Sequence, residues 1–285
     1  SFQKILTESN IYLIAQRTEI KFENITFNSY EPFLNFEIHQ KTNPEILKIT
    51  LPLIQENLAN EFQDFRIDFG SNDPFAEISE QPFTRINEFR LFNGDNFINW
   101  FSPEKFLYDY WNKRITAKVE GDIRNFTKYK VHYIGKATDQ DIWKRLTGHS
   151  SLQQILSIEY PFNYDSLPTH EIIILFLEFH ANLGINTFDY NSNPEEMANT
   201  LLGNGRPELK TIFLDAEKAL IRAMQPKYNK EVYKNYPKSS DGLYHHNLNA
   251  YSYTFIDPIS LIYEQGIING GLTFLGGDTI IMRII

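Results

Sequence analysis

Short apolar runs alternate with polar and turn residues over roughly the first hundred positions of the chain. Such runs occupy residues 11–15, 33–38, 65–69 and 89–92, and several of them alternate apolar with polar side chains. A period of two predicts half-buried β-strands, and the Asn-Gly-Asp sequence at 93–95 predicts a hairpin turn. The first part of the chain is therefore predicted to be mainly β.

The pattern changes after residue 138. Apolar positions then follow a helical spacing over 139–157, 194–202 and 207–225, and a continuous apolar run at 171–178 predicts a buried strand. A mixture of this kind predicts an α/β module in the middle of the chain, over residues 105–238.

The β pattern returns near the C-terminus. The runs lie at 251–255, 261–263, 272–275 and 279–285. About 45 residues are too few to form a stable hydrophobic core of their own. We therefore expect residues 239–285 to complete the β-rich domain begun by residues 1–104, so that the α/β module is an insertion in that domain.

The amino-acid composition and the length limit the class of protein to which the chain can belong. The chain of 285 residues is 42% hydrophobic and 22% charged, which is typical of folded protein and long enough for two units. It has no run of eighteen apolar residues and no signal-peptide pattern at its first residues, so we expect a cytoplasmic protein that does not enter membranes.

The chain contains no cysteine. Disulfides, thiolate zinc sites and cysteine nucleophiles are therefore excluded. A metal ion can be held here only by carboxylates, imidazoles or water.

Charge is unevenly distributed within an acidic protein of net charge −9. Residues 1–104 carry 8 Lys+Arg and 16 Asp+Glu, whereas residues 105–150 carry 10 Lys+Arg and 5 Asp+Glu. The overall charge argues against a protein that coats nucleic acid over its whole surface. The basic segment is the part of the chain suited to phosphate.

The segment 130–149 predicts a strand that ends at Gly135, then a turn, then a helix. At about 100° per residue, Arg145 and His149 fall within the apolar stripe of that helix, one turn apart. Ionisable groups on an inward face need partners or a cleft. They are either satisfied core side chains or members of a site.

A second helix carries a carboxylate on its apolar side. Glu217 projects between apolar residues of this helix, so it is paired, bound to metal or stabilised by the helix N-terminus, for which Asp215 is a plausible cap. Pro226 ends the helix, and Asn229 lies in the exit turn.

Together these residues resemble the GIY-YIG nuclease module, in which a Tyr-Ile-Gly strand leads to a helix bearing Arg and His and a later helix carries a metal-binding Glu. The matching residues, in order, are Tyr133-Ile134-Gly135, Arg145, His149, Glu217 and Asn229. The resemblance spans about residues 108–237. It implies an α+β protein in which a small antiparallel sheet flanked by helices accompanies the β-rich domain.

The resemblance also implies roles for individual residues. Glu217 would hold Mg²⁺ or Mn²⁺, Arg145 would steady the phosphate, and Tyr133 would orient or deprotonate the attacking water with help from His149. The side chains implied in substrate binding are Lys136, Lys144 and Asn229.

One part of the family pattern is missing beside the Tyr-Ile-Gly strand. The region expected to read Gly-Ile-Tyr covers residues 114–120, which contain neither glycine nor tyrosine. Tyr129 lies four residues before Tyr133, on the same strand face by period two, and is the candidate to replace the missing phenol.

The resulting prediction is a metal-dependent endonuclease that acts on DNA, with RNA as the alternative substrate, in restriction or phage defence. The acidic β-rich part is expected to serve in specificity or in binding a protein partner. Two other interpretations stay open, namely an inert GIY-YIG-fold protein that binds or senses nucleic acid, and a partner-binding subunit.

Overall fold

The computed structural model shows an α+β chain made of two compact units. One unit, here the α/β unit, comprises residues 1–17 and 128–285, and the other, here the β unit, comprises residues 18–127. The residues that the structure describes are 11–28, 30–41, 43–61, 64–137, 146, 148–159, 170–178, 183–185, 193–204, 206–246, 248–273 and 275–283.

The secondary structure is dominated by strands. In chain order the strands are β1 (Ile11–Thr18), β2 (Ile20–Phe27), β3 (Phe33–Gln40), β4 (Asn43–Pro52), β5 (Phe65–Gly70), β6 (Glu88–Asn93), β7 (Asn96–Phe101), β8 (Lys118–Glu120), β9 (Lys128–Lys136), β10 (His170–Leu177), β11 (Leu183–Ile185), β12 (Ala250–Thr254), β13 (Ser260–Tyr263), β14 (Gly266–Asn269) and β15 (Thr279–Arg283). The helices are α1 (Pro103–Trp111), α2 (Ser150–Ile158), α3 (Pro194–Leu201) and α4 (Leu209–Met224). Among the described residues, no helix combines the length and the hydropathy needed to cross a membrane.

The β unit consists of two antiparallel sheets over one core. The strand orders are β2-β3-β4-β8 and β5-β6-β7. Alternation along β3 buries Leu34, Phe36 and Ile38, which join Phe89 and Phe101 of the second sheet in the same apolar cluster. This unit therefore has its own core.

The α/β unit is built on a five-stranded sheet of order β10-β1-β9-β13-β14. β1 pairs antiparallel with β9, whereas β13 pairs parallel with β9, so the sheet is mixed rather than the small antiparallel sheet that was predicted. α4 packs on one face and α2 on the other. A second sheet, of order β11-β12-β15, contributes to the core beneath α4.

The prediction that the α/β module is inserted in the β-rich domain is wrong. The C-terminal strands do not complete the β unit, because β13 pairs with β9 and Tyr251, Leu261 and Ile268 are buried in the core beneath α4. The first strand also belongs to the α/β unit. The β unit is therefore the insertion, and it enters the chain between β1 and β9.

Several predicted elements are confirmed, including the strand at 171–178, the helices at 194–202 and 207–225, and the hairpin turn at 93–95. The predicted strand at 272–275 is not formed by its described residues, and β14 lies just before it. The predicted continuous helix over 139–157 is also corrected. A helix begins anew at Ser150 after Gly148, and most of the preceding segment lies outside the described residues.

Candidate active site

Strands β1 and β9 bring two tyrosines together on one face of the sheet. In their antiparallel register Tyr12 lies opposite Gly135, and Ile14 lies opposite Tyr133. The ring centroids of Tyr12 and Tyr133 are 6.1 Å apart. A Cβ atom at residue 135 would come within 2.6 Å of ring atoms of both tyrosines. Glycine at this position therefore allows the two rings to approach each other across the strand pair.

Tyr129 does not join these two tyrosines. The register between β1 and β9 shifts between Ile14 and Ala15, so that β9 carries an extra residue at His132. A β-bulge of one residue reverses which face the following side chains occupy. Tyr129 is consequently buried in the core beneath α4, on the face opposite Tyr133, and the prediction that it replaces the missing phenol is wrong.

Tyr12 is the residue that the sequence analysis missed. It is fully buried, at 0% exposure, and is preceded by an isoleucine in the strand Ile11–Thr18. The local signal is an Ile-Tyr pair in an apolar run. Its significance depends on pairing with a strand more than a hundred residues later, which no local pattern records.

His149 completes an aromatic cluster with the two tyrosines. Its ring centroid lies 4.6 Å from that of Tyr133 and 6.1 Å from that of Tyr12. His149 is the N-cap of α2, and its Nδ1 accepts a hydrogen bond of 3.1 Å from the N–H of Leu152. In the neutral imidazole the hydrogen is therefore on Nε2. His149 lies inside the protein as predicted, but at a helix start rather than within a helix.

Glu217 and Lys136 form an ion pair between α4 and the end of β9. Lys136 Nζ lies 3.0 Å from Glu217 Oε2, and the side chains are 29% and 9% exposed, respectively. The inward placement of Glu217 on the apolar side of its helix agrees with the prediction. The lysine supplies the cation that a carboxylate this deeply buried requires.

Tyr233 is a partly buried tyrosine that packs against the core beneath α4. Burial raises the pKa of the Tyr233 phenol to about 12, with a further contribution from the negative charge of Glu217 and a smaller one from Tyr133. Both groups therefore lie within electrostatic reach of this hydroxyl. The backbone of Tyr233 has a positive φ of 46°, which is rare for a non-glycine residue and occurs often at functional sites. No sequence pattern singled it out.

The side chain of Asn229 forms hydrogen bonds with the backbone of β9. Its Oδ1 accepts a hydrogen bond of 2.9 Å from the N–H of Ile134, and its Nδ2 donates one of 2.8 Å to the carbonyl oxygen of the same residue. Both ends of the side-chain amide are thus used. Asn229 thereby holds the strand that carries Tyr133, and its contact with substrate stays a prediction.

Two predicted residues lie outside the described part of the chain. These are Arg145, assigned to the phosphate, and Lys144, assigned to substrate binding. Their roles stay predictions.

A second buried carboxylate lies on α4, two residues before Glu217. Asp215 is 0% exposed and accepts hydrogen bonds from the hydroxyls of Tyr236, Tyr251 and Tyr253 and from the N–H of Leu243, at 2.6 to 3.2 Å. Burial first, and then the Asp215 carboxylate, raise the pKa of Tyr236 and Tyr253 well above the ordinary value. α4 begins at residue 209, so Asp215 anchors the C-terminal segment and is not a helix cap.

The Asp215 network predicts a large effect on stability. We expect Asp215→Asn to lower the free energy of unfolding by about 2–3 kcal/mol, because hydrogen bonds to a charged acceptor become bonds to a neutral amide. Glu264→Gln, in the exposed turn after β13, removes the same charge and should change it by less than about 0.5 kcal/mol. Urea denaturation followed by circular dichroism measures both, and equal midpoints would contradict the anchoring role.

The candidate active site has two parts, namely the cluster of two tyrosines and a histidine on the α2 face of the sheet and the ion pair between the end of β9 and α4. Its members are Tyr12, Tyr133, Lys136, His149, Glu217 and Tyr233. In the described part of the chain, no three histidine, aspartate or glutamate side chains gather as a ready-made metal cluster. No protein-family model, curated protein or solved structure matches this chain.

Proposed function

We propose that this protein is a metal-dependent endonuclease of the GIY-YIG type that hydrolyses phosphodiester bonds of DNA. The pairing of β1 with β9 carries the proposal, because it sets the Ile11-Tyr12 sequence beside the Tyr133-Ile134-Gly135 strand. The resemblance requires a second tyrosine-bearing strand at this place. The β unit enters the chain between the two strands, which accounts for its absence from residues 114–120.

The ion pair of Glu217 supports a cation site. The Glu217 carboxylate already has the Lys136 ammonium beside it, so this part of α4 is a place where positive charge is favourable. A single carboxylate suits Mg²⁺ or Mn²⁺, which commonly take one or two protein oxygens and complete their coordination with water and substrate phosphate. Glu217 is therefore the residue that would hold the metal, and a bound metal would stabilise charge on the phosphate and lower the pKa of bound water.

The aromatic cluster provides proton transfer. Tyr133 is half-buried, whereas Tyr12 and His149 are buried behind it, so Tyr133 is the phenol best placed to meet a water molecule. His149 and Tyr12 pack against its ring and can fix its position, and the Nε2–H of neutral His149 can donate a hydrogen bond. The Tyr233 phenol, like an ordinary tyrosine, is protonated at neutral pH and can donate a hydrogen bond.

Phosphate binding is assigned to two cationic side chains that follow the Tyr-Ile-Gly sequence. Lys136 lies directly after Gly135 and is partly exposed, so its ammonium can reach a phosphate oxygen. The resemblance adds Arg145 for the charge that develops on the phosphate during hydrolysis, where a fixed guanidinium is worth a few kcal/mol.

The β unit fits a role in choosing the substrate. It has its own core, and both of its ends connect to neighbouring strands of the proposed nuclease unit. A specificity part attached in this way is consistent with an enzyme of restriction or phage defence that acts on DNA in preference to RNA.

The proposal predicts cleavage that depends on a divalent metal. We expect the wild-type protein to cut plasmid or linear DNA with Mg²⁺ or Mn²⁺ and to lose this activity in EDTA. Glu217→Gln, purified in parallel, should be inactive because the amide cannot hold the cation. Glu208→Gln is the matched control, since Glu208 is an exposed glutamate at the start of the same helix, and it should cut like the wild type.

Each alternative to the proposed function predicts a different result in this experiment. Cleavage that persists in EDTA or in Glu217→Gln would refute the metal-dependent mechanism. DNA binding without cleavage, unchanged by EDTA, would favour an inert protein with this fold. A stoichiometric protein partner together with no affinity for DNA or RNA at low salt would favour the partner-binding subunit.

A further inference from the structure

The Lys136–Glu217 ion pair places a lysine where a metal ion would have to bind. Lys136 Nζ lies 3.0 Å from Glu217 Oε2, and the Glu217 side chain is only 9% exposed. A lysine ammonium and a divalent cation compete for the same negative charge, and at short range the two cations repel each other strongly outside bulk water. Metal binding therefore requires that Lys136 move.

The two partners differ in their freedom to move. Glu217 projects from the middle of the sixteen-residue helix α4, whose neighbouring residues are buried. Lys136 is the last residue of β9, and its side chain is 29% exposed. A lysine side chain is a flexible four-carbon stem with a strongly hydrated head group, so it can be redirected while the carboxylate stays in place.

We propose that Lys136 is an exchangeable counter-ion that couples metal binding to substrate binding, an inference that rests on the proposed nuclease function. Without nucleic acid, Lys136 neutralises Glu217 and weakens its affinity for the metal. When a phosphodiester binds, its negative charge attracts the Lys136 ammonium, and Glu217 becomes available to the cation. The site therefore gains its metal mainly when substrate is present. Such coupling is reciprocal, so the metal also strengthens substrate binding.

The first test measures Mn²⁺ alone, without nucleic acid. Titrations followed by the electron paramagnetic resonance signal of free Mn²⁺ should show Lys136→Gln binding about tenfold more tightly than the wild type, because one competing cation has been removed from Glu217. Lys130→Gln is the matched control, since it removes an exposed lysine of the same strand, and its affinity should stay within about twofold. Glu217→Gln should lose the Mn²⁺ bound at this site.

The second test adds a short DNA duplex in the Tyr133→Phe background, chosen to suppress cleavage. The duplex should tighten Mn²⁺ binding about tenfold in Tyr133→Phe and should add little in the double variant Tyr133→Phe with Lys136→Gln. The same titration with Glu217→Gln corrects for Mn²⁺ bound by the duplex itself.

Equal Mn²⁺ affinity in the wild type and Lys136→Gln, or Mn²⁺ binding that survives Glu217→Gln, would overturn the counter-ion proposal. So would a duplex effect that persists in the double variant. None of these results depends on cleavage. A protein that cuts DNA but shows no change in Lys136→Gln would refute the exchange alone, whereas tighter Mn²⁺ binding in Lys136→Gln without any cleavage by the wild type would refute the nuclease function alone.

Discussion

Tyr12→Phe is expected to slow DNA cleavage by about 10²-fold, because it removes one hydroxyl from the cluster that handles the proton of the attacking water. The phenyl ring keeps the packing against Tyr133 and His149, whose ring centroids both lie 6.1 Å from that of Tyr12. Folding should therefore be preserved. Single-turnover cleavage at saturating enzyme measures the chemical step, and circular dichroism checks the fold.

Tyr129→Phe is the matched control for this experiment. Tyr129 is also a buried tyrosine of the β1–β9 pair, but it lies in the core on the other face of the sheet. We expect its rate to stay within about twofold of the wild type. Equal rates for Tyr12→Phe and the wild type would remove Tyr12 from the mechanism. A large loss in Tyr129→Phe alone would restore the original prediction for that residue.

Removal of the whole β unit is expected to leave a folded α/β unit. Residues 18–128 can be replaced by a two-residue Asn-Gly turn, because the antiparallel pairing of Gln16 with Lys130 makes Arg17 and Tyr129 the next pair, which such a turn can join. The shortened protein should unfold cooperatively and keep its Mn²⁺ affinity, since the residues of the candidate active site all lie outside the β unit. Its discrimination among DNA sequences should fall by about 10²-fold or more, because the proposed specificity part is gone.

The isolated β unit provides the complementary measurement. A fragment of residues 18–127 retains the cluster that includes Phe22, Phe36 and Phe89, all at most 2% exposed. It should therefore unfold cooperatively by itself. If either piece is disordered alone, the two units depend on each other for stability. If the shortened protein keeps full sequence discrimination, specificity resides in the α/β unit.

Local patterns were sufficient to predict most strands and helices, because burial periodicity and turn residues are properties of neighbouring positions. The helix that carries Glu217 shows how much a local pattern can predict. Its apolar face, its end before Pro226 and the inward position of the carboxylate are all visible in one short segment. The ion pair with Lys136 is not visible there, since it joins two elements that are distant in the chain.

The incorrect predictions arose either from contacts between residues distant in the sequence or from single residues that interrupt a local pattern. A single extra residue in β9 reversed the face of Tyr129, and Gly148 separates His149 from any helix before it. The order of insertion was wrong because β1 is one more short apolar run among those of the strands that follow it. Only its pairing with β9 assigns it to the α/β unit and brings Tyr12 to Tyr133.

The insertion of the β unit between β1 and β9 also sets the order in which the site is made during translation. Tyr12 is synthesised before the β unit, its partner strand follows only after the whole β unit, and Glu217 follows later still. Domains generally fold as units during synthesis, and contacts between distant residues form slowly. A nascent chain therefore carries an incomplete site until α4 has been made, and under the proposed nuclease function unfinished copies of the protein would not cut DNA.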